Sequence, residues 1–289
     1  MPSTLLISGA SGFIGSVLVR HFSDKGWKLV SLTRRPGGSL PHGITQQEFD
    51  LRHAKLPERL FDGIEVFIHA AYAKQEVGVD AFHTNVDSAR KLLAAAECSG
   101  VRQRIFFSSL SALPYAASEY GKQKYAIEKL FGAAHGAVVR PGLVLGNGGL
   151  FAAMLEHLRL RHTVPLIGGG CQPLQTVFID DLVAAVDRIV ADNLEGVYTV
   201  AEPEPVAYAT FFSELCKTLG VEARFLHIPY FAASLAIAAA KLLGKNLPVN
   251  RDTLLGLKSM IAQDSRRDLE KLGIHLRTWK ESLQTLKGV

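Results

Sequence analysis

The chain is expected to fold as an α/β protein: a doubly wound parallel sheet with a small C-terminal α/β region. Three observations predict it. Short apolar runs alternate with helix-length amphipathic stretches through the first half, the pattern of strand–helix–strand units with right-handed crossovers. The first apolar run passes directly into a glycine turn, Gly9-x-x-Gly12-x-x-Gly15, that opens a helix. Hydrophobic residues make up 48% of the 289, enough to cover a sheet on both faces.

Strands are expected at 4–8, 28–33, 45–49, 65–70, 104–108 and 136–140, and helices at 13–25, 80–98 and 119–134. The strands are short apolar runs; the helices repeat apolar residues every three or four positions. Beyond Pro141 the pattern loosens into a glycine-rich loop (Gly142, Gly146, Gly148, Gly149) and a second one at 168–170. Helices at 180–192, 207–219, 230–243, 264–272 and 278–287 then mix with short strands near 196–200 and 224–228. Residues 1–145 are expected to form the sheet domain. Residues 146–289 are expected to form mainly a substrate-binding region on the sheet's carboxyl edge, with some elements returning to the sheet. The stretch 230–243 is apolar almost all round, is short for a membrane span and contains Lys241, so it reads as a buried or docking helix.

Strand, glycine turn and helix are how a chain builds a pyrophosphate site. Glycines permit a tight turn and close backbone approach, and the free N–H groups of the new helix meet the phosphates. Gly9, Ser11, Gly12, Phe13, Ile14 and Gly15 are therefore candidate cofactor contacts in a Rossmann-type domain. The second strand ends KLVSLTRRPGG, with no acid to bind adenosine ribose hydroxyls. Arg34 and Arg35 stand there instead, and a guanidinium pairs with a 2′-phosphate, so NADP is expected over NAD as the alternative. Asp50 and Leu51, after the third strand, are candidates for the adenine edge. Ala70 and Ala71, after the fourth, are small enough to let a cofactor cross the sheet.

Tyr120 and Lys124 lie four apart on an expected helix and share a face. A tyrosine titrates near pH ~10. A neighbouring ammonium favours phenolate and brings that value down, and a serine at the end of the preceding strand can orient the reacting oxygen. The spacing is weak evidence by itself: about 0.4 chance matches are expected in a chain of this composition, and Tyr125 with Lys129 is a second match. Tyr125 sits about 140° around the helix from Tyr120, so the two cannot both face a cofactor.

With these motifs in view the chain resembles the extended short-chain dehydrogenase/reductase superfamily, in its branch of NAD(P)-dependent sugar-nucleotide epimerases, dehydratases and 4-keto reductases. GASGFIG at 9–15, HAAY at 69–72 (with Tyr72), HTNVDSARKLLAAA at 83–96, YGKQKYAIE at 120–128, RPGLVLGNGG at 140–149 and VFIDDLVAAV at 177–186 carry the resemblance, as does the tail from Ser259. It implies catalytic roles for Tyr120, Lys124 and a serine, with Ser109 first, Ser111 second and Ser108 third. It adds Asn85 and Pro141 to the cofactor set. It implies hydride transfer at a carbon of a nucleotide-linked sugar, most simply ketone reduction. The alternatives are an epimerase that retains NAD and a non-catalytic NAD(P)-binding scaffold; a reductase of apolar ketones is a further option. Relatives often dimerise through a four-helix interface that includes the Tyr–Lys helix, so a homodimer with Tyr125 and Lys129 at its interface is expected. Leu110 and Ser111 stand where the family's dehydratases carry an acidic pair, which argues against dehydration.

The remaining composition excludes more than it assigns. Lys and Arg number 32 against 27 Asp and Glu, a formal charge of +5, but the cations are scattered and form no nucleic-acid stripe. Cys98, Cys171 and Cys216 are widely spaced and read as reduced core thiols of a cytoplasmic protein. The ten His show no metal-ligand spacing, so no metal is expected. His69 and His83 are expected to line or support the cofactor cleft. Asp180 and Asp181 read as the charged start of a helix. Arg159, Arg161 and Arg266 are candidates for a substrate diphosphate, against the plainer reading of surface charges.

Overall fold

In the computed structural model, residues 3–37, 40, 43–53, 55–73, 80–243 and 249–286 are described. The first half is strand and helix in alternation: β1 (Thr4–Ser8), α1 (Phe13–Asp24), β2 (Lys28–Thr33), β3 (Thr45–Glu48), β4 (Val66–His69), α2 (Ala81–Cys98), β5 (Gln103–Phe107), α3 (Glu119–Ala133) and β6 (Ala137–Pro141). The second half adds β7 (Leu143–Leu145), α4 (Gly149–Arg161), β8 (Thr163–Ile167), β9 (Pro173–Leu174), β10 (Thr176–Phe178) and α5 (Ile179–Ala191). It closes with β11 (Gly196–Val200), β12 (Val206–Ala207), α6 (Tyr208–Leu219), β13 (Arg224–Ile228), α7 (Tyr230–Leu242), α8 (Arg251–Lys258), α9 (Arg266–Leu272) and α10 (Trp279–Leu286).

Seven strands form one parallel sheet in the order β11-β6-β5-β4-β1-β2-β3. Alternation along the strands gives it two cores, because successive side chains point to opposite faces. Leu5, Ile7, Val66, Ile68, Ile105 and Val139 pack under α1, α5 and α9. Leu6, Phe67, Phe106 and Val138 pack under α2 and α3. Both faces are thus covered, as a parallel sheet requires. Strand order reverses between β1 and β4, and such a switch point opens a crevice at the carboxyl ends of the strands. The remaining strands pair two by two: β7 with β10, β8 with β13, and β9 with β12.

The expected strands and helices of the first half all appear, with ends displaced by at most one residue. Seven elements of the second half were not expected: β7, α4, β8, β9, β10, β12 and α8. Helix α4 starts inside the glycine-rich loop, at Gly149 with φ +64°. Strands β7 and β10 are only three residues long, and β8 carries a proline, so none shows a clear alternation. Helix α8 follows Asn250, whose side chain accepts the Thr253 N–H at 2.8 Å and caps it. The cysteine expectation needs correction: Cys98 and Cys171 are exposed, and only Cys216 is buried. Strand β11 returns to the sheet beside β6 although it lies late in the chain.

Candidate active site

The crevice begins at the β1–α1 turn. Gly9 has φ +79°, and a Cβ there would come within 2.8 Å of the Ala70–Ala71 backbone at the end of β4. Any side chain at Gly9 would therefore strain the turn and push β4 away. The Gly12 N–H donates to the Gly9 carbonyl at 2.9 Å. A Cβ on Gly15 would strike that same oxygen. Helix α1 then starts at Phe13 with no side chain capping it, leaving its first N–H groups to a ligand. The turn fits a dinucleotide pyrophosphate on these grounds. Gly9, Gly12, Phe13, Ile14 and Gly15 line one large cleft of about 850 Å3. Ser11 lines an adjoining pocket of about 530 Å3.

Helix α3 brings Tyr120 and Lys124 into the same cleft, beside Ser109 at the end of β5. Burial pushes the Tyr120 phenol above its ordinary value, and the nearby Ser109 hydroxyl acts in the opposite sense. Lys124 Nζ is not what lowers it. The ammonium donates to the Phe107 carbonyl at 2.7 Å and sits 4.8 Å from the Phe106 ring centre and 5.8 Å from that of Tyr120. Burial brings Lys124 down to about 7, with the nearby Glu128 carboxylate acting in the opposite sense. Tyr72 stands edge-on to Tyr120 at 5.1 Å and has its own phenol pushed up by burial.

A scaffold of buried polar groups holds this set. Glu128 accepts Arg140 Nε at 2.8 Å and Nη2 at 2.5 Å, and also accepts the Ser108 hydroxyl, so Ser108 is already committed. Ser111 donates its backbone N–H to Ser109 Oγ at 3.2 Å. Asn85 accepts the Ala73 N–H at 2.8 Å and donates to the Ala73 carbonyl and to Gln123, tying the segment after β4 to α2 and α3. His69 is buried behind the glycine turn, 2.6 Å from Ser8 Oγ and stacked on Phe106 and Phe131. Burial lowers its pKa to about 3, and the Lys124 charge acts in the same direction.

The other expected residues fall as follows. Ala70, Tyr72 and Pro141 line the cleft; Ala71 packs beneath it against α2 and α3. Arg34 and Arg35 are exposed just past β2, whose Leu32 carbonyl accepts the Gly9 N–H at 3.3 Å, and neither makes an ion pair among the described residues. Asp50 is engaged by Arg52, whose guanidinium holds its carboxyl at about 2. Leu51 is buried in the core. His83 does not reach the cleft: it is exposed near Asp80 and Asp87, because its side of α2 faces solvent. Arg159 and Arg161 end α4 without lining the cleft, and Arg266 pairs with Glu204 and Asp264. Asp180 and Asp181 open α5 and face Arg277. Among the described residues no cluster of His, Cys, Asp and Glu has metal-site geometry.

Sequence reasoning missed the far wall. Helix α8 and the segment after it contribute Thr253, Gly256, Leu257 and Met260 to the cleft. Asp252 accepts the backbone N–H groups of Glu119 and Tyr120 at 2.5 and 3.2 Å, capping α3 from 132 residues away. The cap residue Asn250 was the one local signal for this helix. Gln263 reaches the Leu110 carbonyl and is itself held by Gln175.

Comparison with known proteins places this architecture. The chain is 28% identical over 233 residues to a ceramide reductase of Caulobacter vibrioides, covering 77% of this chain and 73% of that one. It is 23% identical over 256 residues to a 3β-hydroxysteroid dehydrogenase/Δ5→4-isomerase of Mycobacterium tuberculosis, covering 75% and 69%. Its fold superposes on the UDP-glucose 4-epimerase of Thermotoga maritima with a TM-score of 0.78 at 20% identity, over 99% of this chain and 97% of that one. The profile of the NAD dependent epimerase/dehydratase family matches residues 5–201. The chain, with its glycine turn at β1 and its parallel sheet, belongs to the NAD dependent epimerase/dehydratase family.

Proposed function

We propose that the protein is an NAD(P)-dependent oxidoreductase that reduces the ketone of a largely apolar substrate. One observation carries the substrate class. Beyond the glycine turn the cleft is walled by Leu110, Leu143, Met154, Val164, Phe212 and Leu257, and Lys124 is the one Lys or Arg among the described residues that line it. A nucleotide-linked sugar brings two phosphates, which proteins meet with guanidinium forks. Here the one ammonium is turned to the Phe107 carbonyl. The named activities of the ceramide reductase and steroid dehydrogenase relatives support the apolar reading.

When bound, the nicotinamide supplies the hydride. The chain's own residues do the rest. Tyr120 Oη gives its proton to the carbonyl oxygen as that oxygen gains charge, and Ser109 donates a hydrogen bond that holds the oxygen in line. Lys124, held by Phe107, stands 5.8 Å from the Tyr120 ring, where Glu128 opposes the loss of its charge on burial, and it would hold the ribose of a bound nicotinamide nucleotide. Arg34 and Arg35 follow β2, whose Leu32 carbonyl accepts the Gly9 N–H, and no acid stands at that strand end, which favours NADP over NAD. The family's retained-cofactor epimerase chemistry on a nucleotide-linked sugar is the second reading, favoured by the fold likeness alone. We also propose a homodimer through α2 and α3, where Lys129 lies over the Tyr125 ring at 5.3 Å and away from the cleft.

The test is to follow nicotinamide absorbance with NADPH and with NADH. A keto-steroid, a long-chain keto-amide and a 4-keto sugar nucleotide would each be supplied in turn. Oxidation of NADPH by an apolar ketone, lost in Tyr120→Phe, is the expected result. Turnover of the sugar nucleotide alone would overturn the substrate class. Failure to bind either nucleotide would overturn the reaction.

A further inference from the structure

Helix α7 is apolar on every side: among its thirteen residues Ser234 and Lys241 are the strongly polar ones. A helix of that kind is normally enclosed by protein or lipid. Here one side is used. Ala233, Ile237 and Tyr230 pack on Ile167, Val249, Leu254 and Leu257, and Gln172 donates to the Tyr230 hydroxyl at 2.9 Å. The opposite side is bare, with Phe231 76% exposed, Leu235 70% and, just past the helix, Leu243 71%. No helix among the described residues is long and apolar enough to cross a membrane.

Charge indicates what covers this face. The sequence between residues 224 and 260 holds five Lys and Arg against a single carboxylate, Asp252; of the five, Arg224 on β13 and Arg251 and Lys258 on α8 are exposed among the described residues. That excess of four accounts for most of the chain's +5. Asp252 is already committed to the α3 N–H groups, and Arg224, Arg251 and Lys258 make no ion pair among the described residues. A second copy would bring the same cations and be repelled. An anionic lipid surface would satisfy both the apolar side chains and the cations. The position also fits, because Ile167, Val249 and Leu257 are shared between the α7 cluster and the wall of the apolar cleft.

We propose that α7 lies flat on an anionic bilayer, with Phe231 and Leu235 in the acyl boundary, so that the cleft opens at the lipid surface. This goes beyond the proposed reaction, since vesicle binding is read without substrate or cofactor. The full chain would be sedimented with phosphatidylcholine vesicles with and without phosphatidylglycerol. The expected result is binding that needs phosphatidylglycerol and weakens with added salt. It should fall about tenfold or more in F231S/L235S, and also in R251E/K258E as an independent variant. Both variants should retain the native thermal transition. Absence of vesicle binding, or binding unchanged in both variants, would overturn the proposal. A dimer that dissociates in F231S/L235S, without vesicle binding, would assign the face to a second copy instead.

Discussion

Tyr120 is pulled two ways, and the balance matters for the chemistry. Burial favours the neutral phenol, the form that can give a proton to a ketone, while the Ser109 hydroxyl, before its one O–H turns to the ketone oxygen, acts in the opposite sense. Tyr120→Phe removes the proton and keeps the packing. Turnover of a reducible ketone should fall by roughly 10²–10⁴-fold, with nucleotide affinity little changed, as read by steady-state rates and nucleotide fluorescence. His69 makes a different, pH-dependent prediction. In the unfolded chain it takes a proton near its ordinary value of 6.5, but the folded protein resists until about 3. Between those values the unfolded state binds more protons, so stability is lost as pH falls through that window. Denaturant unfolding of His69→Asn should therefore show a smaller loss between pH 7 and pH 5 than the native chain does.

At the scale of elements, two helix beginnings build the site and are built oppositely. The α1 start is left uncapped by side chains and its turn is packed too tightly for a Cβ at Gly9. Gly9→Val should abolish NADPH binding, measured by fluorescence titration, because both the left-handed φ and the Ala70–Ala71 contact forbid it. The α3 start is closed twice, by Ser118 at its own N-cap and by Asp252 from α8. Asp252→Ala should cost about 1 kcal/mol of stability, the usual worth of a cap. Because Tyr120 is one of the two capped residues, kcat should fall while the KM for NADPH stays nearly constant, and Asp252→Asn should recover part of both.

For the whole molecule, strand order sets the site. Reversal between β1 and β4 puts the glycine turn, Ala70 and the end of β5 around one crevice, and the C-terminal half closes the other side with apolar walls. A nucleotide that binds only the folded chain stabilises it by about 2.7 kcal/mol at a hundredfold excess over Kd. NADPH should therefore raise Tm by roughly 5 °C in a chain of this size. It should do so more than NADH at equal concentration, and the Arg34→Ser/Arg35→Ser double variant should erase the difference.

What the sequence determined by itself is local. Strand, glycine turn and helix have fixed periods and fixed turn chemistry, so the sequence alone places Gly9 to Gly15. The Tyr120–Lys124 pair was legible for the same reason, since four residues on a helix define a face, and the two-core sheet followed from alternation. Tertiary structure decided everything that joins distant residues. Asp252 caps α3 across 132 positions, β11 returns to pair with β6, and Ser108 rather than Ser109 is spent on Glu128. The apolar cleft and the bare side of α7 belong to that class too. Their residues come from many elements, and no periodicity in a single segment reports which of its sides will meet protein and which will meet solvent.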